Sequence, residues 1–115
     1  MSYVTGFLTP VKAESRDRYL QSARKGWELF KEYGATRQVE AWGVDVPDGK
    51  VTSFPMAVKL EEGEVVVFAW LEWPDKATAD VAWGKMMEDE RMKDMDMPFD
   101  GKRMMWGGFE TIFQS

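Results

Sequence analysis

"EVVVFAWLEW", Glu64 to Trp73, is the stretch on which the fold turns. It is a run of β-branched and aromatic residues between Gly63 and Pro74, so it reads as a strand. A period of two divides it into Val65, Val67, Ala69 and Leu71 on one side and Val66, Phe68, Trp70 and Glu72 on the other. The first set is small and aliphatic enough to lie under helices, and the second is not made for water either. A sheet built around this strand therefore has two faces to cover.

Upstream, "YVTGFL" (Tyr3 to Leu8) reads as a first strand that stops at Thr9-Pro10. From about Ser15 the period changes, with Tyr19, Ala23, Trp27 and Phe30 recurring at spacings of three and four. Charged residues fill the other faces, which predicts an amphipathic helix capped by Gly34. Thr36 to Val46 reads as a strand closed by Pro47-Asp48-Gly49, and Phe54 to Leu60 as a short extended piece that "EEG" turns back. Downstream of Pro74, Asp75 is placed to cap a helix running to about Glu90. Pro98 and Asp100-Gly101 break the connection that follows, and a last strand runs from about Arg103 to Phe113.

The order strand, helix, strand, strand, helix, strand predicts an α+β, ferredoxin-like βαββαβ domain over residues 1–115, with an extra extended segment at Phe54 to Leu60. Both helices of such a domain cover one face of an antiparallel sheet. On the second strand Val39, Ala41 and Gly43 suit the helix side, and on the last strand Met105, Gly107 and Phe109 do. The far face would then gather Glu40, Trp42, Trp70, Glu72, Trp106 and Glu110, with Tyr3, Thr5 and Phe7 beside them. Such a face is too apolar to expose, so the sequence predicts a homodimer in which a partner sheet covers it.

Composition limits the chemistry. The chain of 115 residues is 44% hydrophobic and carries a net charge of −5, and it contains no cysteine and no histidine. Thiolate catalysis, zinc-thiolate and iron–sulfur sites, and the commonest general base and haem ligand are absent with them. No metal and no cofactor is expected. The acidic balance and scattered basic residues argue against a nucleic-acid partner. No apolar run approaches a membrane span, and the N-terminal residues lack the features of a secretory signal, so the expected setting is cytoplasmic. "DMDMPFDG" fails as a calcium loop, because the position of the closing glutamate is Met105, and Gly107-Gly108 lacks the Lys-Ser/Thr of a phosphate cradle. Met92, Met95 and Met97 read as packing, not as a thioether copper site.

"DVPDGKVTSF", "EVVVFAWLEWP", "KMMEDERMKDM" and "MPFDGKRMMWGGFE" together resemble the YbaA-like family of small bacterial proteins. The resemblance implies a ferredoxin-like dimeric α/β barrel, in which two sheets face each other across a two-fold axis. It supplies no catalytic residue.

The glutamate–tryptophan face is the ligand-binding candidate. Carboxylates enclosed among indoles would be desolvated and raised in pKa, and the site would take a small, partly apolar organic molecule, cationic or hydroxylated. The alternative is a filled barrel, with the glutamates paired to Arg37, Arg91 or Arg103 and no turnover.

Overall fold

The computed structural model describes residues 2–115. Four strands, β1 (Tyr3–Lys12), β2 (Arg37–Trp42), β3 (Glu64–Trp73) and β4 (Met105–Glu110), form one open sheet in the order β2-β3-β1-β4. Every neighbouring pair is antiparallel. The helices are α1 (Arg16–Glu32), the one-turn α2 (Phe54–Ala57), α3 (Lys76–Met86) and the one-turn α4 (Glu90–Lys93). This is the ferredoxin-like arrangement, with α1 and α3 as the two crossovers.

Local chemistry sets the element ends. Gly34, at φ +112°, closes α1 through Gly34 N–H to Lys31 O and Ala35 N–H to Phe30 O, the paired bonds of a Schellman cap. The Asp75 carboxylate accepts from Thr78 N–H at 2.8 Å and starts α3. Helix α3 stops at Met86 instead of continuing to Glu90, because Asp89 accepts from Arg91 N–H and begins α4 afresh.

Strand β1 runs through Pro10. That residue lies beyond Leu8, where pairing with β4 ends, so its missing N–H leaves no ladder partner on that side.

The segment Phe54 to Leu60 is not extended. Ser53 Oγ accepts from Met56 N–H at 3.1 Å and Pro55 presets the helical φ, so a cap and a proline at the first turn fold Phe54–Ala57 as α2. The Phe54 ring then lies 6.0 Å from that of Phe68.

The main core lies between the sheet and the helices: Leu71 and Trp73 of β3 pack with Leu29 of α1 and Ala79, Ala82 and Met86 of α3. Trp73 Nε1–H donates to Thr5 Oγ1 at 3.1 Å, and both side chains are buried. Val65, Val67, Ala69 and Leu71 face the helices as their alternation predicts, with Phe68 and Trp70 on the open side.

The other three strands present the opposite set from the one expected. Register pairs Glu40 with Ala69, Phe7 with Ala69 and Trp106 with Phe7, so Gln38, Glu40 and Trp42, Tyr3, Thr5 and Phe7, and Trp106, Gly108 and Glu110 all fall on the helix side. Val39 and Ala41, Val4, Gly6 and Leu8, and Met105, Gly107 and Phe109 fall on the open side.

The adjacent glycines explain the reversal on β4. A Cβ on Gly108 would collide with the Tyr3 phenol on the helix side, whereas Gly6 and Gly107, directly paired, both lie against the Phe109 ring on the open side. Each glycine makes room for an aromatic ring, and the two rings lie on opposite faces.

Candidate functional site

The helix side of the sheet holds a cavity of about 320 Å³. Phe7 and Ala69 form its floor, Gly26 and Phe30 of α1 and Trp83 of α3 its sides, and Met92, Met95, Met97 and Phe99 its outer wall. Trp83 is the hub of the aromatic lining, in edge contact with Phe7 (6.4 Å), Phe30 (6.2 Å) and Trp73 (6.2 Å) and tilted against Trp106 (6.4 Å).

The outer wall is irregular chain held in place by polar contacts. Arg18 donates to both Asp96 carboxylate oxygens, at 2.6 and 2.7 Å, and the buried Ser22 hydroxyl donates to the Asp96 carbonyl. Arg91 bridges Asp89 and Glu32, and Tyr33 donates to Asp89 at 2.7 Å. The Arg91 and Tyr33 bonds hold the Asp89 carboxyl well below the usual range.

The polar rim comes from α1 and β2. Tyr19 Oη donates to Glu40 Oε1 at 2.6 Å, and Gln38 Nε2 donates to Glu40 Oε2 at 3.0 Å and to Ala23 O at 3.2 Å. Gln38 Oε1 is buried without a partner. Turning the amide over would bring that oxygen against the Ala23 carbonyl, so the two N–H bonds select this orientation. Burial pushes the Glu40 carboxyl up, against the Tyr19 and Gln38 hydrogen bonds that pull it down. Burial, with the Glu40 charge and hydrogen bond behind it, also raises the Tyr19 phenol far above its ordinary range. The hydrogen bond and the raised phenol keep the shared proton on the Tyr19 oxygen.

The six residues expected on one face are divided. Glu40 and Trp106 line the helix-side cavity. Trp42 packs against a second cluster of Val11, Val67 and Ala69, with the Arg16 guanidinium 5.4 Å from its ring centre. Trp70 and Glu72 lie on the open face, where Trp70 Nε1–H donates to Glu72 Oε2 at 3.0 Å and Arg37 stands 3.6 Å from the same oxygen. Glu110 ends β4 in an exposed position. A single site containing all six does not form, because a reversal on β2 and β4 moves four of them across the sheet.

Of the pairings expected for these glutamates, only Glu72–Arg37 forms. Arg103 instead grips Glu64 with two bonds of 2.7 Å, and Arg91 holds Glu32 and Asp89.

Tyr19, Gln38 and the methionine wall were not singled out as site residues by the sequence. The signal for Tyr19 was present, since a tyrosine in the apolar stripe of a helix needs a partner for its hydroxyl. Met92 and Met95 pack against the main core, as expected of them, and with Met97 they also border the cavity. Among the described residues, no group of three or more acidic side chains is close enough to hold a metal ion.

The open face carries a shallow depression lined by Val4, Gly6, Phe68, Trp70 and Phe109, with Glu110 and Thr111 at the end of β4 closing it, so that Trp70 and Glu110 of the expected set border one hollow. Phe68 is 48% exposed and Phe109 61%, and Phe54 extends the same aromatic row. This is a contiguous apolar surface on a sheet whose other face is already covered.

Three comparisons bear on the chain. A family profile described as protein of unknown function (DUF1428) matches residues 2–101. The chain is 58% identical over 114 residues to the uncharacterized protein YbaA of Escherichia coli strain K12, covering 97% of each. Among solved structures it resembles a dimeric ferredoxin-like protein from an uncultured marine organism, with a TM-score of 0.57 at 8% identity and the whole of both chains covered. A Nitrosomonas europaea chain provisionally named an antibiotic biosynthesis monooxygenase gives 0.58 at 12% identity, over 97% of this chain and 91% of that one. At such identities these two share the fold alone.

Proposed function

The chain belongs to the DUF1428 family of proteins of unknown function, and from that premise we propose that it is a homodimer whose subunits each bind a small, largely apolar organic molecule between sheet and helices. The observation that carries the reading is the cavity, about 320 Å³ in volume, apolar over most of its lining and furnished with one hydrogen-bonded carboxylate at its rim. A space of this size with few convergent polar groups is typical of small-ligand sites. Its methionine wall suits a ligand of irregular outline, because thioether side chains repack at low cost.

Dimerisation uses the opposite face. The row Phe54, Phe68, Trp70 supports a partner sheet stacked there, as does the dimeric state named for one structural relative. Sheet and helices then have separate tasks, assembly on one side and ligand on the other. The net charge of −5 supports excluding nucleic acid as a partner.

The test is direct. The neutral probe 1-naphthalenemethanol should perturb the indole resonances of Trp83 and Trp106 in a saturable titration, while Trp70, on the open face, stays still. Met95→Trp, which fills the cavity, should remove the response. No saturable shift at Trp83 in a protein shown folded by circular dichroism would end this reading.

A further inference from the structure

We infer that the natural ligand of this cavity is an organic ammonium ion, an amine whose apolar body fills the space beside Trp83 and whose charged head meets Glu40 at the rim. The inference rests on the ligand-site reading above and narrows it to a chemical class.

The first argument is a count of free hydrogen-bonding capacity. The Tyr19 proton is committed to Glu40, the Ser22 proton to the Asp96 carbonyl, and the Gln38 N–H groups to Ala23 and Glu40. The Thr9 hydroxyl, the remaining donor in the lining, is turned to the Tyr19 oxygen, so what the rim offers a ligand is acceptor capacity, the second lone pairs of the Glu40 oxygens. A ligand that donates completes the site, and a ligand that only accepts leaves it unsatisfied.

Charge is the second argument. Glu40 is the one charged residue lining the cavity, and among the described residues no lysine or arginine does. Its partners are a phenol and an amide, both neutral. A carboxylate with no counter-charge at the mouth of an apolar cavity is a recognition site for a cation, and it repels an anion. The rise in the Glu40 pKa agrees with a missing counter-ion.

The walls are the third. Phe99, whose ring lies 6.1 Å from that of Tyr19, is the aromatic beside the rim, and an ammonium held at Glu40 near its face gains from the ring quadrupole where a neutral hydroxyl does not. Carboxylate and aromatic ring together favour the ammonium over the alcohol.

Three probes of one shape separate the possibilities: 1-naphthylmethylamine, 1-naphthalenemethanol and 1-naphthoate, titrated calorimetrically against the full-length protein at neutral pH. The amine should bind about tenfold tighter than the alcohol, and the naphthoate weakest, a charge-assisted hydrogen bond being worth about that factor. Glu40→Gln should remove the amine's advantage over the alcohol, with circular dichroism showing that the variant is folded. Equal binding of amine and alcohol by the wild type overturns the ammonium assignment and leaves the cavity reading standing. So does an amine preference that survives Glu40→Gln. If none of the three binds the wild type, both readings fall together.

Discussion

Tyr19 on α1 donates its hydroxyl proton to Glu40 on β2 across 2.6 Å, which ties the first helix to the edge strand at the mouth of the cavity. Tyr19→Phe removes that bond and should cost about 1 kcal/mol. The cost depends on pH with a definite sign. The groups facing Glu40 are Tyr19 from α1 and Gln38 from its own strand, and the folded carboxyl is already raised. A raised carboxyl contributes most below the unfolded value of about 4.3 and loses that contribution as pH rises through the folded pKa. Without Tyr19 it rises further, so the variant should differ little from wild type at acid pH and increasingly towards neutrality. Carboxyl carbon NMR gives the pKa and thermal melts at both pH values give the stability. An unchanged Glu40 pKa in Tyr19→Phe would contradict the geometry.

The pair Glu64–Arg103 has the opposite sign. Arg103 grips both Glu64 oxygens at 2.7 Å, and the Glu64 side chain is only 6% exposed. The arginine holds the Glu64 carboxyl below its usual range, so the stability it contributes is present at neutral pH and is lost as pH falls through that lowered value. Arg103→Met should strand the carboxylate and lower Tm by several degrees at neutral pH, with the gap narrowing in acid. Arg103→Lys should recover only part of the loss, since an ammonium cannot reproduce the two parallel bonds.

Adjacent glycines on β4 should respond differently to the same change. Gly108→Ala drives a methyl group into the Tyr3 phenol and should destabilise by about 1–3 kcal/mol, whereas the Cβ of Gly107→Ala meets the Phe109 ring at 3.4 Å, an ordinary contact. The latter should stay within about 0.5 kcal/mol of wild type. Adding Tyr3→Ala to Gly108→Ala should recover part of the loss, a coupling that a double-mutant cycle reads from urea melts. Additive effects would show that Tyr3 does not occupy that space.

Assembly is tested on the open face. A stable dimer stacked there should bury roughly 1,600 Å² in total. Trp70→Lys places a charge beside Phe68 and should give monomer or aggregate in light scattering. Lys31→Glu, on the exposed side of α1, should leave the dimer intact. A folded wild-type monomer at micromolar concentration would remove the dimer from the proposal.

Much of the architecture was legible along the chain. The three-and-four spacing from Tyr19 to Phe30, the glycine cap at Gly34, the aspartate cap at Asp75 and the run Glu64 to Trp73 each state their structure within a few residues, because helix period, left-handed φ and β-branching are local properties. The segment Phe54 to Leu60 misled for the same reason in reverse: its apolar content suggests a strand, and Ser53 with Pro55 outweighs it. The methionines after Met86 are as visible in the sequence as in the structure, but nothing local says whether such a side chain fills a gap or borders one.

The side of the sheet to which each edge strand turns is where sequence and structure part. Alternation divides β2 into Arg37, Val39, Ala41 and Gln38, Glu40, Trp42, and it divides β4 as cleanly, but a period of two names two sets without saying which lies under the helices. On β3 the small aliphatic set makes the choice plain. On β4 both sets hold a glycine and an aromatic residue, and on β2 each set carries a charge, so the choice falls to contacts distant in the chain: Tyr19 meeting Glu40, Tyr3 occupying the space over Gly108, Phe109 lying on Gly6 and Gly107. Element order and caps are thus written residue by residue, whereas the cavity, its carboxylate and the face left for a partner exist only once long-range pairing has turned each strand.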